Sequence, residues 1–205
     1  MSASKLSIGV LASGSGTNLQ ALLDACAKNE IAACVKLVIC NNRGAGAVER
    51  SALAGVPCVV IPHREYATRA DFEAELHRHL MAHSVEFVVM AGFMRVLTGF
   101  FVRRWSGRLI NVHPSLLPAF PGTHAIRDAL EHGVKWAGCT VHFVDEGVDT
   151  GPIISQAVVP VHDDDTESSL HSRVQVEEHR LLVESVGLVA DRALKFVGRR
   201  VSRTL

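Results

Sequence analysis

Apolar and polar residues change their period repeatedly along the chain. Residues 6–12 form an apolar run of strand length that closes on Ser13-Gly14-Ser15-Gly16-Thr17-Asn18. Leu19, Leu22, Leu23 and Cys26 then fall at i, i+3, i+4 and i+7, the stripe of an amphipathic helix. The pattern recurs: strands are expected over 34–40, 56–62 and 87–91, and helices over 46–54, 68–83 and 98–104. A further strand ends at 111–113 and a helix covers 124–132. This alternation predicts a parallel, doubly wound sheet. The pattern then shifts. Residues 138–144 and 153–161 are two apolar strands with no helix between them, which reads as an antiparallel pair added to the sheet. The acids at 163–165 and Thr166 are expected to cap a long helix carrying Leu170, Val174, Leu181 and Leu182 inward. The basic tail from 195 to 205 is expected to add one last edge strand. The fold class is therefore α/β, a doubly wound and mostly parallel sheet with an antiparallel C-terminal extension, in one domain over residues 1–205.

Composition narrows the function. The 205 residues carry 21 basic and 21 acidic side chains, so the formal net charge is zero. Neither nucleic acid nor a membrane surface has an electrostatic claim on such a chain. The apolar runs are too short to span a bilayer, and residues 1–5 are a short polar lead rather than a signal peptide. Five widely spaced cysteines (Cys26, Cys34, Cys40, Cys58, Cys139) include no CxxC pair, which suits a reduced, cytoplasmic protein without zinc. His77, His79 and His83 lack carboxylate partners at a ligand spacing and read as solvated helix histidines. No metal is expected.

Three polar centres remain. Asn111 and His113 lie at alternate positions of a strand end and so point to the same side. Pro114, Pro118, Pro121 and Gly122 stiffen the chain that follows. The 13–18 turn has the strand, glycine-rich turn and helix order that aims backbone N–H groups at an anion. It lacks the Lys of a P-loop, and Leu19 stands where a GxGxxG would need its third glycine. A tight turn without a ligand accounts for the same residues. The third centre is the acidic loop ending at Asp149. In a parallel sheet the first two centres meet at the C-terminal edge. His113 can exchange a proton near neutral pH, Asn111 can donate to an oxyanion, and Asp149 can orient His113. No GxSxG elbow is present. The implied chemistry is acyl-type transfer to a nucleophile carried by the substrate. Arg95, set among apolar residues, is either a surface charge or an anchor for a planar ligand.

Asn111-Val112-His113-Pro114-Ser115-Leu116-Leu117-Pro118, Pro121-Gly122 and Asp149-Thr150-Gly151-Pro152 resemble the folate-dependent formyltransferases. Ser13 to Gln20, Ala91-Gly92-Phe93-Met94-Arg95 and Arg173-Val174-Gln175-Val176-Glu177-Glu178-His179 extend the likeness over nearly the whole chain. The resemblance implies a Rossmann-like formyltransferase fold and 10-formyltetrahydrofolate as co-substrate. It implies phosphoribosylglycinamide (GAR) as acceptor, within purine biosynthesis. It assigns Asn111, His113 and Asp149 to catalysis, and Gly16, Thr17, Asn18, Gln175 and Glu178 to GAR. It assigns Arg69, Met94, Arg95, Val96, Leu97, Val144, Asp145, Glu146, Gly147 and Val148 to the folate. Residues 1–105 would then form a phosphate-binding half and 106–205 a catalytic and folate-binding half. Ile126 stands where the family often has a second histidine, leaving His124 as that motif's histidine. The same trio occurs in formyltetrahydrofolate deformylases, which carry an extra N-terminal domain, and in a tRNA formyltransferase with a basic C-terminal domain. Room for either is not expected here. A non-catalytic phosphate-binding module would need the 13–18 turn but not the trio. The expected assembly is a monomer or weak homodimer.

Overall fold

The computed structural model describes residues 5–204. Its main sheet has seven strands in the order β3-β2-β1-β4-β5-β6-β7. These are β1 Leu6–Ala12, β2 Ala33–Cys40, β3 Cys58–Val60, β4 Phe87–Met90, β5 Leu109–His113, β6 Trp136–Phe143 and β7 Ile153–Pro160. Strands β1 to β5 are parallel, and β6 and β7 are antiparallel to their neighbours. Strand β3 is shorter than its apolar run suggests.

Among the described residues, six α-helices cover the sheet: α1 Thr17–Ala27, α2 Gly46–Leu53, α3 Arg69–Ala82, α4 Gly99–Arg104, α5 Ala125–His132 and α6 Glu167–Ala190. Side-chain alternation along the strands divides the interior in two. Ile8, Val10 and Ala12 face a layer holding Leu19, Leu22, Ile126, Leu170, Val174 and Leu182, from α1, α5 and α6. Leu11, Leu37 and Ile39 face Phe72, Leu76 and Leu80 from α3, Phe101 from α4 and Trp105 just after it. Helix α3 lies so close to β1 that a Cβ on Gly9 would fall 2.5 Å from Leu80 Cδ2.

Several expectations need correction. Thr166 alone is the N-cap of α6, in a reciprocal capping box with Ser169. Asp165 instead holds Arg173, whose guanidinium keeps its carboxyl well below the usual range. The basic tail does not join the sheet edge. It forms a separate antiparallel hairpin, β8 Leu194–Val197 and β9 Arg200–Arg203, because Gly198 at φ 61° turns the chain back on itself. The helix histidines are half-buried rather than solvated: His79 pairs with Glu75 at 3.1 Å, and His77 sits edge-on to Trp105. Residues 1–4 of the polar lead lie outside the described residues. Among the described residues, no helix is long and apolar enough to cross a membrane.

Candidate active site

The cleft forms on the α3/α4 face of the sheet, where the residues alternating with Ile110 and Val112 turn polar. Asn111 and His113 both point there, as their spacing predicts. Antiparallel pairing sets His142 of β6 directly opposite Asn111. The β6–β7 loop, residues 144–152, folds back over this face. It brings Asp149 Oδ2 to 3.5 Å from His113 Nδ1 and Asp149 Oδ1 to 3.7 Å from His142 Nε2. The cleft, about 190 Å³, is lined by these four residues with Met94 to Leu97, Val144, Asp145, Gly147 and Val148 among others.

Each polar group has a defined partner. His113, 4% exposed, donates from Nε2 to the Phe120 carbonyl at 2.9 Å. Its Nδ1 therefore remains for Asp149. The Gly122 N–H donates to Asp149 Oδ2 at 2.8 Å, which draws the Pro121–Gly122 turn against the loop. His142, 2% exposed, donates from Nδ1 to the Phe143 carbonyl and accepts from Asn111 Nδ2 at 3.3 Å. Burial pushes its pKa down, against the opposing pull of that carbonyl and of Asp149. A neutral imidazole accepting at Nε2 suits both facts. Asn111 uses one amide hydrogen on His142 and keeps the other for the cleft.

The glycine-rich turn lies at the C-terminal end of β1. Gly16 has φ 74°, and a Cβ there would meet Ala47 Cα at 2.8 Å, so the position excludes other residues. No side chain among the described residues caps α1, which leaves its first N–H groups for another acceptor. Asn18 donates from Nδ2 to Glu178 Oε2 at 3.2 Å, while its Oδ1 is buried without a partner. Glu178 is 5% exposed, and burial raises its pKa to about 7, tempered by the Asn18 amide. Gln175 lies half-buried on the same helix. Strands β1 and β5 flank β4, so the turn and the trio are two strand spacings apart, roughly 10 Å. Ser13 Oγ joins the two regions by accepting from Met94 N–H at 2.8 Å.

Not every expected residue reaches the cleft. Arg69 is exposed at the first turn of α3 and does not line it. Glu146 points outward and holds Arg103 of α4 through two 2.9 Å contacts, tethering the loop instead. His124 is exposed, and Ile126 is packed in the core. Arg95 lines the cleft and also a second one of about 330 Å³ beside Asn41, His63 and Arg64. Sequence reasoning missed His142, although the alternation of its strand places it on the Thr140 face. Among the described residues, no group of three or more His, Cys, Asp or Glu side chains is arranged to hold a metal ion.

The sequence profile described as formyl transferase matches residues 6–186. The chain belongs to the formyl transferase family. A phosphoribosylglycinamide formyltransferase of Mycobacterium tuberculosis is 45% identical over 190 residues, covering 93% of this chain and 87% of that relative. The trifunctional purine biosynthetic protein adenosine-3 of Chironomus tentans is 48% identical over 192 residues, 93% of this chain. The chain spans only 14% of that longer relative. The crystal structure of glycinamide ribonucleotide transformylase 1 from Symbiobacterium toebii superposes with a TM-score of 0.96 at 48% identity, covering 98% of this chain and 95% of the other. Its likeness to this formyl transferase extends past residue 186 into the C-terminal hairpin.

Proposed function

We propose that this formyl transferase moves the formyl group of 10-formyltetrahydrofolate to the glycinamide amine of 5'-phosphoribosylglycinamide, within purine biosynthesis. The convergence of Asn111, His113 and Asp149 on one cleft carries the reading. The amine attacks the formyl carbon, the new C–N bond forms, and the carbonyl oxygen gathers negative charge. The spare hydrogen of Asn111 and, once protonated beside Asp149, Nδ1 of His113 are the donors for that oxygen, while His113 Nε2 stays on the Phe120 carbonyl. The bond from carbon to N10 of the folate then breaks; the amine gives up one proton and N10 gains one. Asp149, against His113, is the group that carries the proton. The folate side of the cleft is the wall of Met94 to Leu97 with Val144, Asp145, Gly147 and Val148. The phosphate would sit on Gly16 to Asn18, with the ribose toward Gln175 and Glu178. The roughly 10 Å between that turn and the trio suits an extended sugar phosphate. Residues 1–105 and 106–205 act as halves of one unit, since Glu178 completes the turn that follows β1. A cytoplasmic monomer or weak homodimer, with neither nucleic acid nor membrane as partner, fits the neutral charge.

Purified protein given both substrates should release tetrahydrofolate and formylated GAR in equal amounts. Release of formate without a formylated amine would make the protein a hydrolase instead. Asp149→Asn should lower kcat by ~10²–10⁴ while GAR binding holds, the usual span for a lost acid–base group. Near-normal turnover in that variant would remove Asp149 from the chemistry.

A further inference from the structure

We propose that the C-terminal hairpin, β8 and β9, positions Asp149, with Arg199 as its working contact. The inference rests on the formyl-transfer reading. It concerns a segment that lies beyond the family match, which ends at residue 186.

Arg199 stands in the turn between the two strands. Its Nη2 donates to the Thr150 carbonyl at 2.5 Å. Thr150 follows Asp149 directly, so this charge-assisted bond fixes the peptide plane next to the reacting carboxylate. A second contact lies at the root of the same loop. The Phe196 ring packs on Phe143 with centroids 4.7 Å apart, and Phe143 is the residue from which the loop departs. The loop's ends are closed there: Phe143 N–H donates to the Pro152 carbonyl at 2.9 Å. A Cβ on Gly151 would fall 1.7 Å from the Phe143 carbonyl oxygen, so the two ends are pressed together. The hairpin is itself fixed. Leu194 and Val201 pack against the main core, and Thr204 N–H donates to the Ala193 carbonyl.

The loop has reason to need such support. Asp149 has φ 53°, in the left-handed region that a side chain other than glycine rarely adopts. Its neighbours Glu146, Gly147, Val148 and Thr150 are exposed. Such a conformation persists only where surrounding contacts over-determine it. Three parts of the fold supply them. Arg103 of α4 holds Glu146, Gly122 holds the Asp149 carboxylate, and Arg199 holds Thr150. Of these, Arg199 alone grips the backbone beside Asp149. Arg199 does not line the cleft, so it is a positioning residue that acts through Thr150.

Steady-state formyl transfer by full-length wild type, Arg199→Ala, Arg199→Lys and Phe196→Ala tests this, with melting temperatures measured alongside. Arg199→Ala should lower kcat about tenfold, since a small misplacement at a reacting group is costly, and leave KM for GAR within about twofold. Arg199→Lys should recover part of the loss because an ammonium still donates to the carbonyl. Phe196→Ala should lower kcat in the same manner. Unchanged kcat in Arg199→Ala, with an active wild type, overturns the inference and leaves the functional reading standing. A lowered melting temperature with normal turnover per folded molecule also overturns it, making the hairpin a source of stability alone. A wild type inactive on GAR overturns the functional reading and this inference with it.

Discussion

Glu178 is a carboxyl on the buried face of α6, and its acidity follows from that placement. Removal from water raises its pKa from 4.5 to about 7, and one Asn18 hydrogen bond does not restore it. The folded protein therefore holds this proton more tightly than the unfolded chain. The contribution is fully present below the ordinary carboxyl pKa of 4.5. It falls as pH rises, because the unfolded chain ionises first, and it is lost as pH passes through about 7. The difference amounts to roughly 3 kcal/mol. Glu178→Gln should flatten this dependence: between about pH 5 and about pH 8 the variant should lose less thermal stability than the wild type. Parallel melting curves would show that another group governs the trend. Cys139, nearby in the same interior, is pushed up to about 12 by burial and by the acids of α6. Its thiol stays protonated, and alkylating reagents should leave it intact in the folded protein.

The 91–98 segment depends on elements that do not themselves form the cleft. Ser13, at the end of β1, accepts from Met94 N–H at one point. At the other, the buried Glu73 of α3 accepts from Thr98 N–H at 2.7 Å and from the Thr98 hydroxyl. Met94 to Leu97 are thus held between β1 and α3 while lining the cleft. Glu73→Gln keeps the shape but weakens this clamp. It should raise KM for the folate several-fold, the effect of about 1 kcal/mol, with KM for GAR unchanged. Equal changes in both constants would point to general loosening. The strands and helices themselves were legible, because period-2 and period-3.6 patterns follow directly from burial on a sheet or helix face. The trio was legible for a related reason: Asn111 and His113 share a strand face, and proline and glycine mark the turn after them. Glu73 was open to the same logic, since it falls at i, i+3 and i+7 with the buried Leu76 and Leu80. The directions of Arg69 and Glu146 were not legible. Their orientations depend on partners and packing that no local spacing encodes, as the Arg103–Glu146 pair shows. The hairpin was also hidden, because a short basic segment can pair with a sheet edge or with itself.

At the scale of the molecule, one sheet serves two interiors. Val10 belongs to the α1/α6 side and Leu11, the next residue, to the α3/α4 side. Neither interior can be lost without exposing strands that line the other. Leu76→Ala, in the α3/α4 layer, should therefore cost about 2–5 kcal/mol and keep a single urea transition for the whole protein. Two separated transitions would show that the layers unfold independently. The Asn18–Glu178 bond has a different consequence, for the order in which a growing chain becomes competent. Its partners are 160 positions apart. During synthesis the glycine-rich turn emerges well before α6, which follows all seven strands of the main sheet. Until α6 docks, the Asn18 amide lacks its carboxylate and the side later occupied by α6 is open to solvent. Ribosome-stalled chains of increasing length should acquire affinity for GAR abruptly once α6 has cleared the exit tunnel, not gradually as strands are added. Gradual acquisition would show that the turn works without its distant partner. On this timing, an incomplete chain would not hold substrate it is unable to turn over.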